Sequence, residues 1–326
     1  MSEHKTTAVG EAPDRPSAPL LLLCDHRGEG VALLQPSLES AGYRVEASLV
    51  LRATLERLAR GAPDVILLDP LTTHAAAELK AIEGVLQRAQ RSVPVLVVAE
   101  AAAVPALLRA AEGGQWDLVH RDAPPEEYVM RLARLQRQAE RSRELEEVRY
   151  RAAHDDRTDL LRPHNFTVRL REHFSAAQRH QLDLALLIID LDKFGQINKR
   201  YDHTVGDALI TRVGEEIRKQ LRTEDVAGRL GGDEFAVLLP YTSPSDAANV
   251  VQRLVDKIRE LSGPFPGANE PIETGASIGF ETYAGQARDL EDVDALRRHA
   301  ERALRVAKRT GGNRGVYFRS LGDAER

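Results

Sequence analysis

Arg229-Leu230-Gly231-Gly232-Asp233-Glu234-Phe235, running straight into Ala236-Val237-Leu238-Leu239, is the stretch from which this chain is read. Two adjacent glycines supply the positive φ of a tight hairpin, and the apolar run after them has the character of a buried strand. Asp233 and Glu234 are therefore expected at or beside the hairpin tip. Taken alone, Gly-Gly followed by acids is an ordinary way to close a loop. A second acidic element changes that reading. Leu182 to Ile189 is a nearly continuous apolar run, as expected for a strand buried on both faces, and it ends in Asp190-Leu191-Asp192. Carboxylates at the end of a core strand, beside a hairpin carrying two more, are hard oxygen donors suited to one or two Mg²⁺ (or Mn²⁺) ions, and such ions serve phosphate chemistry.

Outward from these two elements the pattern gives strand (Leu182 to Asp190), helix (about Asp207 to Leu221) and strand (about Val226 to Leu230). Strand (Phe235 to Leu239), helix (about Ser245 to Leu261), strand (about Ile272 to Thr282) and helix (about Leu290 to Arg309) follow. Leu209, Val213, Ile217 and Leu221 form one apolar helical stripe; Val251, Leu254, Val255 and Ile258 form another. The central βαββαβ order predicts a ferredoxin-like palm.

Asp190-Leu191-Asp192-Lys193-Phe194, Asn198, His203, Gly206-Asp207 and Gly231 to Phe235 fall in an order and spacing that resembles the GGDEF-domain diguanylate cyclases. The resemblance runs from about Asp155 to about Arg319 and includes Asp155, Thr158, Leu160 and Phe166 at its start. Ala303-Leu304, Ala307-Lys308, Gly311 and Asn313-Arg314 carry it at its end. It implies that Asp190, Asp233 and Glu234 are catalytic. Asp190, Asp233, Glu234 and the Leu191 carbonyl would hold the metal. Asn198 and Asp207 would take the guanine edge of GTP, Gly231 and Gly232 would let phosphates approach the backbone, and Lys308 would meet the triphosphate. The expected activity is condensation of two GTP into cyclic di-GMP plus pyrophosphate by a homodimer; the alternative is a silent cyclic di-GMP receptor acting through protein contacts. Arg157, Asp159 and Arg162 stand where Leu, Gly and Asn are usual, and Gly195, Lys199, Asp202 and Gly312 also depart from the pattern.

Arg222-Thr223-Glu224-Asp225 lies where many members carry an Arg-x-x-Asp inhibitory site for the cyclic product. The resemblance therefore implies feedback through Arg222 and Asp225, with Arg253 as a further contact. A guanidinium fork fits guanine O6 and N7, and a carboxylate accepts from the other edge of the base.

The first half of the chain alternates short apolar runs with helical patterns: Leu20 to Cys24, Val65 to Leu68, Val95 to Ala99 and Trp116 to Val119. That alternation predicts a doubly wound parallel sheet over residues 19–124, following a disordered leader over residues 1–18. The pattern resembles a response-regulator receiver, with Asp69 at the phosphoacceptor position. Cys24-Asp25 offers one acid where a pair is usual, Ala99 replaces a Ser or Thr, and Arg121-Asp122 replaces Lys-Pro. The domain is thus expected to be a pseudo-receiver used for dimerisation or partner binding. Residues 125–155 read as a helical stalk of about 45 Å at 1.5 Å per residue. Its coiled-coil seam is expected at Tyr128, Leu132, Leu135 and Ala139, resuming through Leu145, Val148 and Ala152. The cyclase domain then spans 156–320, with a short tail over 321–326.

A formal net charge of −5 with no basic low-complexity arm predicts neither nucleic acid nor anionic membrane as partner. No apolar stretch is long enough to span a bilayer, and the single cysteine, Cys24, suits a reducing cytoplasm and inert packing.

Overall fold

Apolar strands buried on both faces organise each half of the chain in the computed structural model, which describes residues 18–71, 73–110, 114–201, 203–283 and 290–322. The expected leader up to residue 17, Asp202 and tail residues 323–326 lie outside the described residues. The chain divides into two compact units, Met1–Glu146 and Glu147–Arg326.

The first unit alternates β1 (Leu20–Asp25), α1 (Gly30–Ser40), β2 (Arg44–Ser48), α2 (Leu51–Arg60), β3 (Val65–Asp69) and α3 (Ala75–Arg88). It continues with β4 (Val95–Ala99), α4 (Val104–Ala110), β5 (Trp116–His120) and the long α5 (Pro125–Ala153). All strand pairs are parallel, in the order β2-β1-β3-β4-β5. This is the flavodoxin-like doubly wound order, in which sites form at the carboxyl ends of the strands. Cys24 is wholly buried in β1, and burial pushes its thiol up to about 12, so it is unreactive packing.

The seam expected along α5 is corrected in its first half. Tyr128, Leu132 and Leu135 are buried with Leu21, Leu23, Leu67 and Val98 in the core of the first unit, and Ala139 is buried too. An amphipathic stripe shows that a helix has a partner but not which one, and here the partner is the sheet. Of the expected seam residues, Leu145 and Val148, farther along, are 58% and 63% exposed and Ala152 is exposed as well.

The second unit comprises α6 (Pro163–His180), β6 (Leu184–Leu191), α7 (Phe194–Tyr201), α8 (His203–Gln220), β7 (Val226–Gly231) and β8 (Glu234–Pro240). It ends with α9 (Pro244–Glu260), β9 (Ala276–Tyr283), α10 (Val293–Arg309), β10 (Arg314–Tyr317) and a 3₁₀ turn at Phe318–Ser320. The sheet order is β10-β9-β6-β8-β7; β6 is antiparallel to both neighbours and β10 is parallel to β9. The ferredoxin-like palm is therefore present, extended by one edge strand. Leu187, Ile189, Val237 and Ile278 face α8 and α9, while Leu186, Ile188, Ala236 and Leu238 face α6 and α10.

Helix α10 lies unusually close to the sheet because Gly279 carries no side chain. A Cβ there would sit 2.0 Å from the Leu304 backbone nitrogen and 2.2 Å from the Ala300 carbonyl oxygen. Neither backbone atom can move without shifting the helix. Gly279→Ala is therefore expected to lower the unfolding free energy by about 2 kcal/mol or more, read from the urea midpoint.

Candidate active site

The site is built where β6 ends. Its last residues lie in register with the hairpin strand on one side and β9 on the other: Asp190 opposes Glu234 and Ser277, and Leu191 opposes Ala276. Directly opposed residues of an antiparallel pair have Cβ atoms about 4.5–5.5 Å apart, and like charges there repel. The Leu191 N–H donates to the Asp233 carbonyl at 3.3 Å, tying the hairpin tip to the end of β6. The tip is Gly232-Asp233, with a register shift between Arg229 and Gly231. Gly231 and Gly232 adopt φ of +151° and +53°, and an added Cβ at either would meet nothing within 4 Å, so the backbone lies bare to an approaching group.

Asp190 is buried, and its carboxyl is pushed above the usual range, first by burial and then by the charges of Asp233 and Glu234. Lys308, in the last turn of α10, opposes this shift with its Nζ 2.6 Å from Asp190 Oδ2. An ammonium thus occupies the position at which the strand carboxylate would offer an oxygen to a metal. Among the described residues, no three acidic, histidine or cysteine side chains form a ready-made cation cage. The donor set remains chemically suitable, because the mutual repulsion of three carboxylates is what a hard divalent cation relieves.

Asp192 has a structural part that the sequence did not disclose. Its carboxylate accepts from Ser277 Oγ at 2.7 Å and from the Asn313 N–H at 2.6 Å, clasping the loop after α10 to the end of β6. At Gly312, with φ +71°, a Cβ would lie 2.9 Å from that carboxylate, so an L side chain there is both strained and crowded.

Arg229 is the other unforeseen brace. Its Nη1 donates to both Asp155 carboxylate oxygens at 3.2 Å, and its Nη2 donates to the Gly232 carbonyl at 2.8 Å. Burial pushes the Asp155 carboxyl upward, but hydrogen bonding from Thr158 and the Arg229 charge outweigh it, leaving the group below the ordinary carboxylate range.

The residues expected at the base are brought together. Asp207 lies in α8 with its Oδ2 2.8 Å from Arg157 Nη2. Asn198 in α7 has its Oδ1 buried without a hydrogen-bond donor, at a point where a Cβ on Gly206 would come within 1.9 Å of it. An orphaned buried acceptor is a position at which a ligand N–H is favoured.

On another face of this unit, Arg222 and Asp225 form a turn in which the Arg222 N–H donates to Asp225 Oδ2 at 2.8 Å. Burial and the Glu224 charge raise the Asp225 carboxyl, while Arg222 and Arg253 pull the other way. Arg253 Nη2 donates to the Gln220 carbonyl at 3.1 Å. A groove of about 670 Å³ opens beside this turn, and Arg169, His173, Arg218 and the exposed Tyr241 also line it. These four were not legible as a group, being scattered over about 70 residues.

In the first unit the expected phosphoacceptor, Asp69, is buried and gripped by Arg121, whose Nη2 and Nη1 donate to its two oxygens at 2.7 and 3.1 Å. Asp25 accepts from the Gly28 and Val31 N–H groups, so it holds the turn into α1.

A ferredoxin-like palm with an acidic Gly-Gly hairpin defines a class of nucleotide-handling domain, and comparison with known proteins gives the family. Residues 152–314, half of the chain, match the family described as diguanylate cyclase, GGDEF domain. The chain belongs to this family. It is 35% identical over 169 residues to the bifunctional diguanylate cyclase/cyclic di-GMP phosphodiesterase MucR of Pseudomonas aeruginosa, covering 52% of this chain and 24% of that protein. It is 35% identical over 161 residues to diguanylate cyclase TpbB of the same species, covering 49% of this chain and 36% of that protein. The crystal structure of the coiled coil and GGDEF domain of DgcB from Caulobacter crescentus, in complex with c-di-GMP, is similar with a TM-score of 0.53 and 27% identity. That likeness covers 58% of this chain and 97% of that one. The chain spans between a quarter and about a third of the length of these two curated relatives. No helix among the described residues is long and apolar enough to cross a membrane.

The Asp155–Arg229–Gly232 brace generates a pH-dependent expectation. A carboxyl lowered in the folded state stabilises fully above the unfolded pKa, and that contribution is lost as pH falls through the folded value. Asp155→Asn is thus expected to destabilise at pH 7, with the gap to wild type closing in acid. Arg229→Ala is expected to cost about 1–3 kcal/mol at pH 7, since the pair is largely sheltered from solvent. Urea titrations at several pH values check both.

Proposed function

We propose that the second unit is a diguanylate cyclase that condenses two GTP into cyclic di-GMP. In each of two steps the 3′-oxygen of one nucleotide bonds to the α-phosphorus of the other, the bond to pyrophosphate breaks, and the 3′-hydroxyl proton is released. The observation that carries this reading is the convergence of Asp190, Asp233 and Glu234 at the end of β6, with a lysine cation already drawn to them.

Asp190, the Leu191 carbonyl, Asp233 and Glu234 would hold Mg²⁺ or Mn²⁺. Bound there, the metal supplies phosphate charge neutralisation and a lowered pKa for the attacking hydroxyl. The protein's own contribution is positioning. Gly231 and Gly232 admit the phosphates against bare backbone N–H groups. Lys308, once another cation replaces it at Asp190, is free to meet the triphosphate as a point charge. Asn198 and Asp207 would bind the guanine. A palm holding one GTP is half of a site, so turnover requires two copies facing each other. The first unit and the exposed Leu145 and Val148 on α5 are the proposed means of pairing. The gripped Asp69 supports a pseudo-receiver in that role, because Arg121 already fills the place of a phosphoryl group's cationic partner.

Product feedback is proposed at Arg222 and Asp225. The adjoining groove, bordered by arginines and an exposed tyrosine ring, offers charge for phosphates and a face for stacking. The alternative reading, a silent cyclic di-GMP receptor, draws on Asp190 and Asp207 both being ion-paired with cations of the chain itself.

Incubation of the full-length protein with GTP and Mg²⁺, followed by chromatography, tests the enzyme. We expect cyclic di-GMP from wild type and at least a hundredfold less from Asp233→Ala or Glu234→Ala, in the range typical for removal of a charge-stabilising group. A folded, dimeric sample that yields no product favours the receptor. Arg222→Ala is expected to raise the product inhibition constant tenfold or more while turnover persists; an unchanged constant removes the feedback site.

A further inference from the structure

Arg157 stands beside the carboxylate assigned above to the base, and its backbone has little freedom to leave. Asp155 Oδ1 accepts from the N–H groups of Arg157 and Thr158, at 3.3 and 3.0 Å, and from Thr158 Oγ1 at 2.8 Å. Thr158 is buried against Gly214 of α8, where an added Cβ would come within 2.6 Å of the Thr158 Cβ. Arg229 holds Asp155 from the other side. The loop is thus pinned at Asp155 and Thr158, on either side of Arg157, and at the Arg157 N–H itself.

That side chain is half exposed, as is Asp207, and its Nη2 lies 2.8 Å from Asp207 Oδ2. An ion pair this open to water contributes about 0–1 kcal/mol, so it does not hold the carboxylate shut against a ligand. What it does is set a donor fork next to an acceptor pair, one position along α8 from Gly206, against which the unpartnered Asn198 Oδ1 lies. The Watson–Crick edge of guanine presents one acceptor, O6, followed by two donors, N1–H and N2–H₂. A guanidinium beside a carboxylate presents the complement in the same order. Adenine reverses the first two groups, setting its 6-amino donor against the guanidinium and its N1 lone pair against the carboxylate. The pair therefore favours one purine and disfavours the other, whereas an aliphatic side chain at 157 would offer no donor at all.

We propose that Arg157 is a second base-reading residue, donating to guanine O6 while Asp207 accepts from N1–H and N2–H₂. This rests on the assignment of Asp207 to the guanine edge. It makes Arg157 a specificity-determining residue whose contribution is to binding and purine choice.

Equilibrium titration of the full-length protein with 3′-deoxy-GTP and 3′-deoxy-ATP, in the presence of Mg²⁺, tests it without turnover, because neither nucleotide carries the attacking hydroxyl. Arg157→Leu is expected to weaken 3′-deoxy-GTP roughly tenfold, the usual effect of losing one charged hydrogen bond, and to leave 3′-deoxy-ATP no weaker, since that nucleotide loses only an opposed donor. Arg157→Lys, which keeps a cationic donor, should recover part of the loss. Unchanged or tighter 3′-deoxy-GTP binding by a folded Arg157→Leu protein overturns the proposal, since Arg157 would then be a bystander or an obstruction. Asp207→Asn separates the two levels of inference. If it too leaves 3′-deoxy-GTP binding unaltered, or if wild type binds neither nucleotide, the guanine assignment itself fails and the role of Arg157 falls with it.

Discussion

Three carboxylates held together against their own repulsion are the constraint around which the second unit is arranged. Sheet register alone puts Asp190 opposite Glu234, and one backbone hydrogen bond brings Asp233 to the same end. Burial makes this arrangement more unfavourable, as the raised Asp190 carboxyl shows. The structure answers with a cation from the far end of the chain, Lys308, carried by a helix that reaches the sheet only because Gly279 lets it lie against β9. Fold and site are therefore linked through packing: a close helix–sheet approach and the neutralisation of the acids belong to the same helix.

The same solution recurs elsewhere. Asp69 in the first unit is gripped by Arg121, Asp207 in the palm is met by Arg157, and Asp155 is held by Arg229. Asp69 ends a strand, Asp207 lies in the second turn of a helix and Asp155 lies in a loop. In each case a guanidinium supplies the charge. For Asp69 the pair is sheltered and bidentate, which closes the position; for Asp207 it is exposed and yields easily.

Much of this was legible in the sequence because strands buried on both faces leave an unambiguous mark. The runs ending at Asp190 and preceding Pro240 predicted the palm, and the acids flanking them predicted that Asp190, Asp233 and Glu234 share one end of the sheet. What could not be read was the partner of each charge. Nothing near Arg157 in sequence points to Asp207, and nothing near Lys308 points to Asp190. Those contacts are made by chain folding across 50 and 118 positions respectively. The stripe through Tyr128, Leu132 and Leu135 was visible, but periodicity does not distinguish a neighbouring sheet from a second helix, and here the sheet claims it. The exposed Leu145, Val148 and Ala152 keep the character expected of a seam.

The Arg229 brace has a mechanical consequence. Helix α5 ends at Ala153, two residues before Asp155, and Arg162 returns to donate its N–H to the Ala153 carbonyl. From Asp155 a single guanidinium spans to the Gly232 carbonyl at the hairpin tip. The foot of the helix and the glycine pair are thus joined through the two ends of one side chain, so removing Arg229 unties both at once.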